Sequence, residues 1–148
     1  TNHCKECFNP ETWNFEYGKP FTEETEQFII DNLKSDFVNG LTLLGGEPFE
    51  PNNQRVLLPF VKRVLKECPS KTIWAYSGFR FDDELLMPGA YPNCECTREL
   101  LECVDVLVDG RFDRDLRDIR LNFRGSGNQR IILSKESLKN NKIILFCY

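Results

Sequence analysis

No stretch of this 148-residue chain is apolar for long enough to cross a bilayer. The longest apolar runs, Val104-Asp105-Val106-Leu107-Val108 and Ile143-Ile144-Leu145-Phe146, have the length of strands. An excess of positive charge is also missing. Lys and Arg number 19 against 23 Asp and Glu, a net charge of −4 that argues against nucleic acid as the main partner. Arginines gather between Arg111 and Arg130, but Asp113, Asp115 and Asp118 interrupt them, as in a solvated loop rather than a phosphate track. Internal repeats, low-complexity tracts and interdomain linkers are absent, so one domain is expected, with no membrane segment. No secretory signal opens the chain, and Thr1 is not an initiator methionine, so the natural N-terminus is expected upstream. What the chain does have is cysteine. Seven of them, odd in number and unevenly spaced, do not make a disulfide framework and predict metal or redox chemistry in a reducing compartment, the cytoplasm.

Helix-like and strand-like patterns alternate. Thr22 is a plausible N-cap, with Glu23 and Glu24 in the first turn and Phe28, Ile29 and Leu33 on one face. Leu41 to Leu44 reads as a buried strand ended by Gly45-Gly46. An amphipathic helix is predicted from Gln54 to Glu67, its regular part starting late or kinking at Pro59. Strands follow at Thr72–Tyr76, Val104–Val108, Gln129–Leu133 and Lys142–Cys147. Short helices are expected at Asp82–Met87, from a Thr97 cap through Cys103, and at Ser134–Lys139. The alternation predicts an α/β fold with a parallel sheet and right-handed crossovers. In such sheets chemistry collects in the loops after the strands. Gly45-Gly46-Glu47, Ser77-Gly78 and Asp109-Gly110 all fall there, so they should line one mouth.

Cys4-Lys5-Glu6-Cys7 brings two thiolates onto one metal or cluster from a tight loop. By spacing alone it is a zinc site, a redox dithiol or an iron–sulfur ligand pair. Asn9-Pro10 directly after it counts against a thioredoxin-like dithiol. Zinc needs two further ligands, which Cys94-Glu95-Cys96 offers only with an unusual one-residue gap. His3, the single histidine, is a loop residue or tunes a neighbouring ligand. Gly45 and Gly46 lack Cβ atoms, so their backbone can come close to a ligand, and their carbonyls with Glu47 can receive an ammonium group. Read plainly, the same residues are a glycine turn with a surface glutamate. Cys68, Cys103 and Cys147 read as small buried hydrophobes.

Thr1 to Trp13, together with Leu41-Thr42-Leu43-Leu44-Gly45-Gly46-Glu47-Pro48, resembles the cluster loop and methionine-binding loop of radical S-adenosylmethionine enzymes, specifically the activases of glycyl-radical enzymes. Trp74 to Phe79, Asp105 to Phe112 and Phe123 to Ile132 are similar to segments of the activases of anaerobic ribonucleotide reductase, so the likeness runs from Thr1 to Ile131. The resemblance implies an open, partial β/α barrel and two cofactors, a 4Fe–4S cluster and S-adenosylmethionine. It implies Cys4 and Cys7 as metal ligands, and Glu6, Cys7, Phe8, Gly45, Gly46, Glu47 and Ser77 around the cofactor, with Phe8 near the adenine and Ser77 toward a ribose hydroxyl. No further catalytic residue is implied beyond these ligands. The implied reaction is reductive cleavage of S-adenosylmethionine to a 5′-deoxyadenosyl radical, which takes hydrogen from a glycine of the large reductase subunit. A flavodoxin-like or other one-electron donor is the second implied partner. The loop in the segment Phe123 to Ile132 is expected to contact adenosine or the partner, or to be a turn leading into a strand, with Gly127 standing where the family usually has serine.

The family binds its cluster with Cys-x3-Cys-x2-Cys, and the first of these cysteines would fall immediately before Thr1. The family's first strand should also precede the cluster loop. The expectation is therefore an N-terminally shortened single domain, 1–148, that lacks its first strand and holds the cluster poorly. Restoring a cysteine-bearing upstream segment should markedly raise the iron content after reconstitution, and equal iron with and without it would count against the idea. Two alternatives stand beside this reading. One is a pyruvate formate-lyase-type activase. The other is a non-catalytic zinc-stabilised α/β interaction domain with Cys4, Cys7, Cys94 and Cys96 as ligands.

Overall fold

The computed structural model describes residues 10–147. Cys4, Glu6, Cys7, Phe8 and His3 lie outside them. Among the described residues the sheet has four strands: β1 (Gly40–Leu43), β2 (Thr72–Tyr76), β3 (Val106–Asp109) and β4 (Arg130–Leu133), in the spatial order β1-β2-β3-β4. β1, β2 and β3 run parallel. The helices are α1 (Glu23–Leu33), α2 (Pro51–Glu67), α3 (Thr97–Cys103) and α4 (Ser134–Asn140).

The wholly parallel sheet expected from the alternation is corrected at β4, which pairs antiparallel to β3 with Asp109 opposite Arg130. A parallel return needs a crossover of a dozen or more residues, usually a helix. The chain between β3 and β4 has only the 3₁₀ turn Arg114–Leu116 and closes on itself through an Arg117–Ser126 bridge. It delivers β4 straight back alongside β3. The α/β class holds, with an open sheet of mixed direction. The expected strand at Lys142–Cys147 is reduced to one bridge, Leu145 to Ile132.

The helices cover one face. Ile30 and Leu33 of α1, Leu58, Phe60, Val61 and Val64 of α2, and Leu100 and Leu101 of α3 pack with Leu43, Ile73, Ala75, Leu107 and Ile132. The other face carries Val106, Val108 and Ile131 with Trp74, Tyr76, Leu133 and Phe146. This is the alternation demanded by a pleated strand. Residues one apart along β2, such as Ile73 and Trp74, serve opposite layers.

Local details refine the sequence reading. Thr22 caps α1 as expected, its hydroxyl accepting from the Thr25 N–H at 3.4 Å. Phe28 does not join the buried stripe and is 70% exposed. It stands two residues from Ile30, roughly 200° around the helix, and so faces solvent. Helix α2 begins at Pro51, which suits a first helical position because it has no N–H to satisfy. The helix runs through Pro59, whose ring is on the exposed side, so regular structure starts earlier than expected. The expected helix at Asp82–Met87 is a π-helical turn, Phe81–Leu85. Thr97 is the first residue of α3 rather than its cap. Its hydroxyl accepts from the Cys94 N–H at 2.8 Å and donates to the Pro92 carbonyl at 3.1 Å.

Gly40 is where β1 and β2 approach too closely for any side chain. A Cβ there would stand 2.1 Å from the Thr72 carbonyl oxygen. Gly40→Ala must push β1 off its neighbour and is expected to lower the unfolding free energy by about 2 kcal/mol, the range of overpacking. A urea titration checks this as a lower midpoint with an unchanged slope.

Candidate functional site at the strand ends

The three parallel strands end at one rim, and a single side chain ties the first two endings together. Glu47, four residues past β1, is buried. Its Oε1 accepts from the Phe49 N–H at 2.9 Å and from the Ser77 hydroxyl at 2.8 Å, and its Oε2 accepts from the Gly78 N–H at 2.8 Å. Ser77 in turn accepts from the Phe79 N–H at 3.0 Å. Burial pushes the Glu47 carboxyl above the usual carboxylate range, while the two N–H groups and the Ser77 hydroxyl pull it back down. The expected residues Gly45, Gly46, Glu47 and Ser77 are thus brought to one place, with Ser77 turned inward onto Glu47. Gly45 takes φ +104°, which favours glycine. Among the described residues no atom lies within 4 Å of a Cβ built at Gly45 or Gly46, so this backbone borders open space.

The third ending is organised by charge. Asp109 closes β3 fully buried, accepting from the Phe81 N–H at 2.7 Å and from Arg130 Nε at 2.9 Å. Arg130 also reaches Asp82 at 2.8 Å. The two carboxylates hold the guanidinium above its usual range, and Arg130 holds Asp82 below the usual aspartate range. Two residues on, Arg111 pairs with Glu84 at 3.0 Å and lies 5.6 Å from the centre of the Phe79 ring. The rim is therefore cross-linked where strands end, with its charged groups bonded to one another.

Sequence reasoning missed a second latch. The Tyr91 hydroxyl donates to Glu50 at 2.7 Å, and Gln54 donates to the carbonyls of Phe49 at 2.6 Å and Pro92 at 2.7 Å. Both latches fasten the segment that carries Cys94 and Cys96 to the start of α2. The only sequence signal was Glu50 before Pro51, an acid ahead of a proline-started helix. Cys94 and Cys96 are half-buried, burial pushes the Cys96 thiol up, and Glu95 between them is turned to Arg55 at 2.7 Å. No three metal-binding side chains converge among the described residues. No helix there is long and apolar enough to cross a membrane.

Comparison with known proteins bears on what such a rim holds. Residues 1–132 match the family described as 4Fe-4S single cluster domain. The chain is 41% identical over 133 residues to the anaerobic ribonucleoside-triphosphate reductase-activating protein of Pasteurella multocida, covering 88% of this chain and 80% of that one. It is 36% identical to the protein of that name from Escherichia coli K12, over 86% of this chain and 79% of that one. To the one from phage T4 it is 34% identical, over 86% and 74% respectively. No solved structure matches.

Proposed function

This chain belongs to the 4Fe-4S single cluster domain family and to the anaerobic ribonucleoside-triphosphate reductase-activating proteins, and from that premise we propose that it installs a glycyl radical on anaerobic ribonucleotide reductase. The observation that carries the reading is the extent of the family match, residues 1–132, which contains both the Cys4–Cys7 loop and the Gly45–Glu47 loop. Cys4 and Cys7 are assigned as ligands of a 4Fe–4S cluster. Glu6, Phe8, Gly45, Gly46 and Glu47 are assigned to S-adenosylmethionine, and Ser77 to the same site by way of Glu47. The chemistry supplied by the bound pair is one-electron cleavage of a sulfonium–carbon bond, giving a carbon radical able to take hydrogen from a peptide glycine.

The chain's own residues supply positioning. The open backbone at Gly45 and Gly46 suits the amino and carboxylate end of an amino-acid ligand, with Glu47 as the anion beside an ammonium. Ser77 acts through Glu47: its hydroxyl, together with the Gly78 N–H, fixes the carboxylate so that the first two loops move as one. The Asp109–Arg130–Asp82 cluster holds the third loop at the same rim. The remaining parts of the proposal are a cytoplasmic protein of one domain, a flavodoxin-like or other one-electron donor, and a partial barrel completed around this sheet. The relatives carry the ribonucleotide reductase name rather than that of pyruvate formate-lyase, and a zinc-stabilised interaction domain has no observation in its favour.

The test is electron paramagnetic resonance on the anaerobically reconstituted, reduced protein carrying a cysteine-bearing extension ahead of Thr1. A cluster signal that changes on adding S-adenosylmethionine, followed by a glycyl signal when the reductase subunit is added, is the expected result. A cluster indifferent to the ligand, or zinc in its place, overturns the proposal.

A further inference from the structure

The loop between β3 and β4 is built like a contact surface. Residues 113–128 rise from the rim that holds Glu47 and Ser77, and the base of the loop is fixed. The Gly127 N–H donates to the Leu116 carbonyl at 2.8 Å, and the Asp118 N–H donates to the Gly125 carbonyl at 3.3 Å. Gln129 accepts from the Gly125 N–H at 2.9 Å and donates to the Gly110 carbonyl at 3.0 Å. On this fixed base the apolar side chains point outward. Ile119 is 88% exposed and Leu116 49%.

Two further observations mark the loop. Phe123 has φ +57°, a left-handed conformation rare for a bulky side chain. It is held there by the Tyr76 hydroxyl on its carbonyl at 2.9 Å and by ring packing on Trp74 at 5.3 Å. Residues 113–128 carry four arginines against three aspartates, with Arg120 paired to Asp118 at 2.8 Å. An apolar, pre-formed projection with a small excess of positive charge fits an apolar recess with an acidic group at its edge.

Resting on the function proposed above, we infer that residues 113–128 are the docking surface for the glycine-bearing subunit of the reductase, with Ile119 as the apolar anchor and Arg117 as a steering charge. Hydrogen can be taken from a backbone glycine only if that subunit's chain reaches the mouth where the parallel strands end, so the partner must cover this rim. Residues 113–128 belong to a rim connection that carries Ile119, the most exposed apolar side chain of the rim segments among the described residues. Aromatic and aliphatic anchors at the centre of an interface carry most of its energy.

The test uses the reconstituted protein and purified reductase subunit under anaerobic conditions. Ile119→Asp should weaken association at least tenfold, and the glycyl-radical yield should fall at limiting subunit and recover at saturation. Release of 5′-deoxyadenosine with chemical reductant and no subunit should stay at the wild-type rate. Arg117→Glu should lower the association rate and flatten its salt dependence. If both variants associate like the wild type while the wild type forms the radical, the docking surface is wrong and the proposed function stands. If Ile119→Asp instead dissociates a dimer of this chain and leaves subunit binding unchanged, the surface belongs to a second copy and the inference falls. If the wild type neither cleaves S-adenosylmethionine nor forms the radical, the proposed function falls and takes this inference with it.

Discussion

Glu47→Ala should lower the unfolding free energy by about 3 kcal/mol and abolish radical installation. The substitution strips the acceptor from the Phe49 and Gly78 N–H groups and from the Ser77 hydroxyl, all now bonded to one buried carboxylate. Leaving a buried donor without a partner costs about 1–3 kcal/mol, and the hydroxyl can rotate to recover part of its share. The chemical consequence is larger than the thermodynamic one, because the loops after β1 and β2 lose their common anchor. Glu47→Gln is the sharper variant. An amide keeps one acceptor oxygen for Phe49 and Ser77 but turns its NH₂ toward the Gly78 N–H, donor against donor. It should cost about 1–2 kcal/mol, leave the fold intact by circular dichroism, and still lose most of the S-adenosylmethionine-dependent change in the cluster's resonance signal. A Gln variant with full ligand response would remove Glu47 from the proposed site.

Arg130→Met should destabilise the protein by about 3 kcal/mol. Asp109 is fully buried and takes two of its hydrogen bonds from Arg130, so the variant strands a buried carboxylate with only the Phe81 N–H among its observed partners. Breaking one side of a buried pair costs about 3–5 kcal/mol, and the partial exposure of the arginine places this case at the low end. Removing both charges should recover much of the loss, so Arg130→Met with Asp109→Leu forms a double-mutant cycle with a coupling well above that of a surface pair. Acid should act on the same cluster. Arg130 holds the Asp82 carboxyl below its ordinary range, so that contribution is complete above the ordinary aspartate pKa and is lost as pH falls through the depressed value. A thermal scan across acidic pH should show a smaller slope in Arg130→Met than in the wild type.

The parts of this fold that were legible in the sequence are those encoded by neighbours in the chain. Thr22 before an acidic turn, Gly45-Gly46 after an apolar run and Ser77-Gly78 after another each carry their meaning within a few residues. The partnership of Glu47 with Ser77 spans thirty positions, so only the rule that strand endings gather at one mouth pointed to it. Strand direction was not legible at all. Arg130 to Leu133 is an arginine followed by three apolar residues, a pattern that fixes no direction, and what turned it antiparallel was the missing crossover helix. Phe28-Ile29-Ile30 offered three adjacent apolar residues and hence an ambiguous helical phase, which packing against α2 settled in favour of Ile30. The latch of Tyr91 on Glu50 left no pattern, because its residues are ordinary and forty-one positions apart.

Helices on one face only leave the opposite side of the sheet with an optical consequence. The chain has two tryptophans. Trp74 stands on that opposite face, its ring 5.3 Å from Phe123 and 5.6 Å from Phe146. Trp13 is far from the end of β2 in sequence and 37% exposed. In a Trp13→Phe protein the intrinsic fluorescence therefore comes from one indole, wedged between the loop that carries Ile119 and the C-terminal segment. Its emission maximum and quenching report whether that wedge is closed or parted, without any added label.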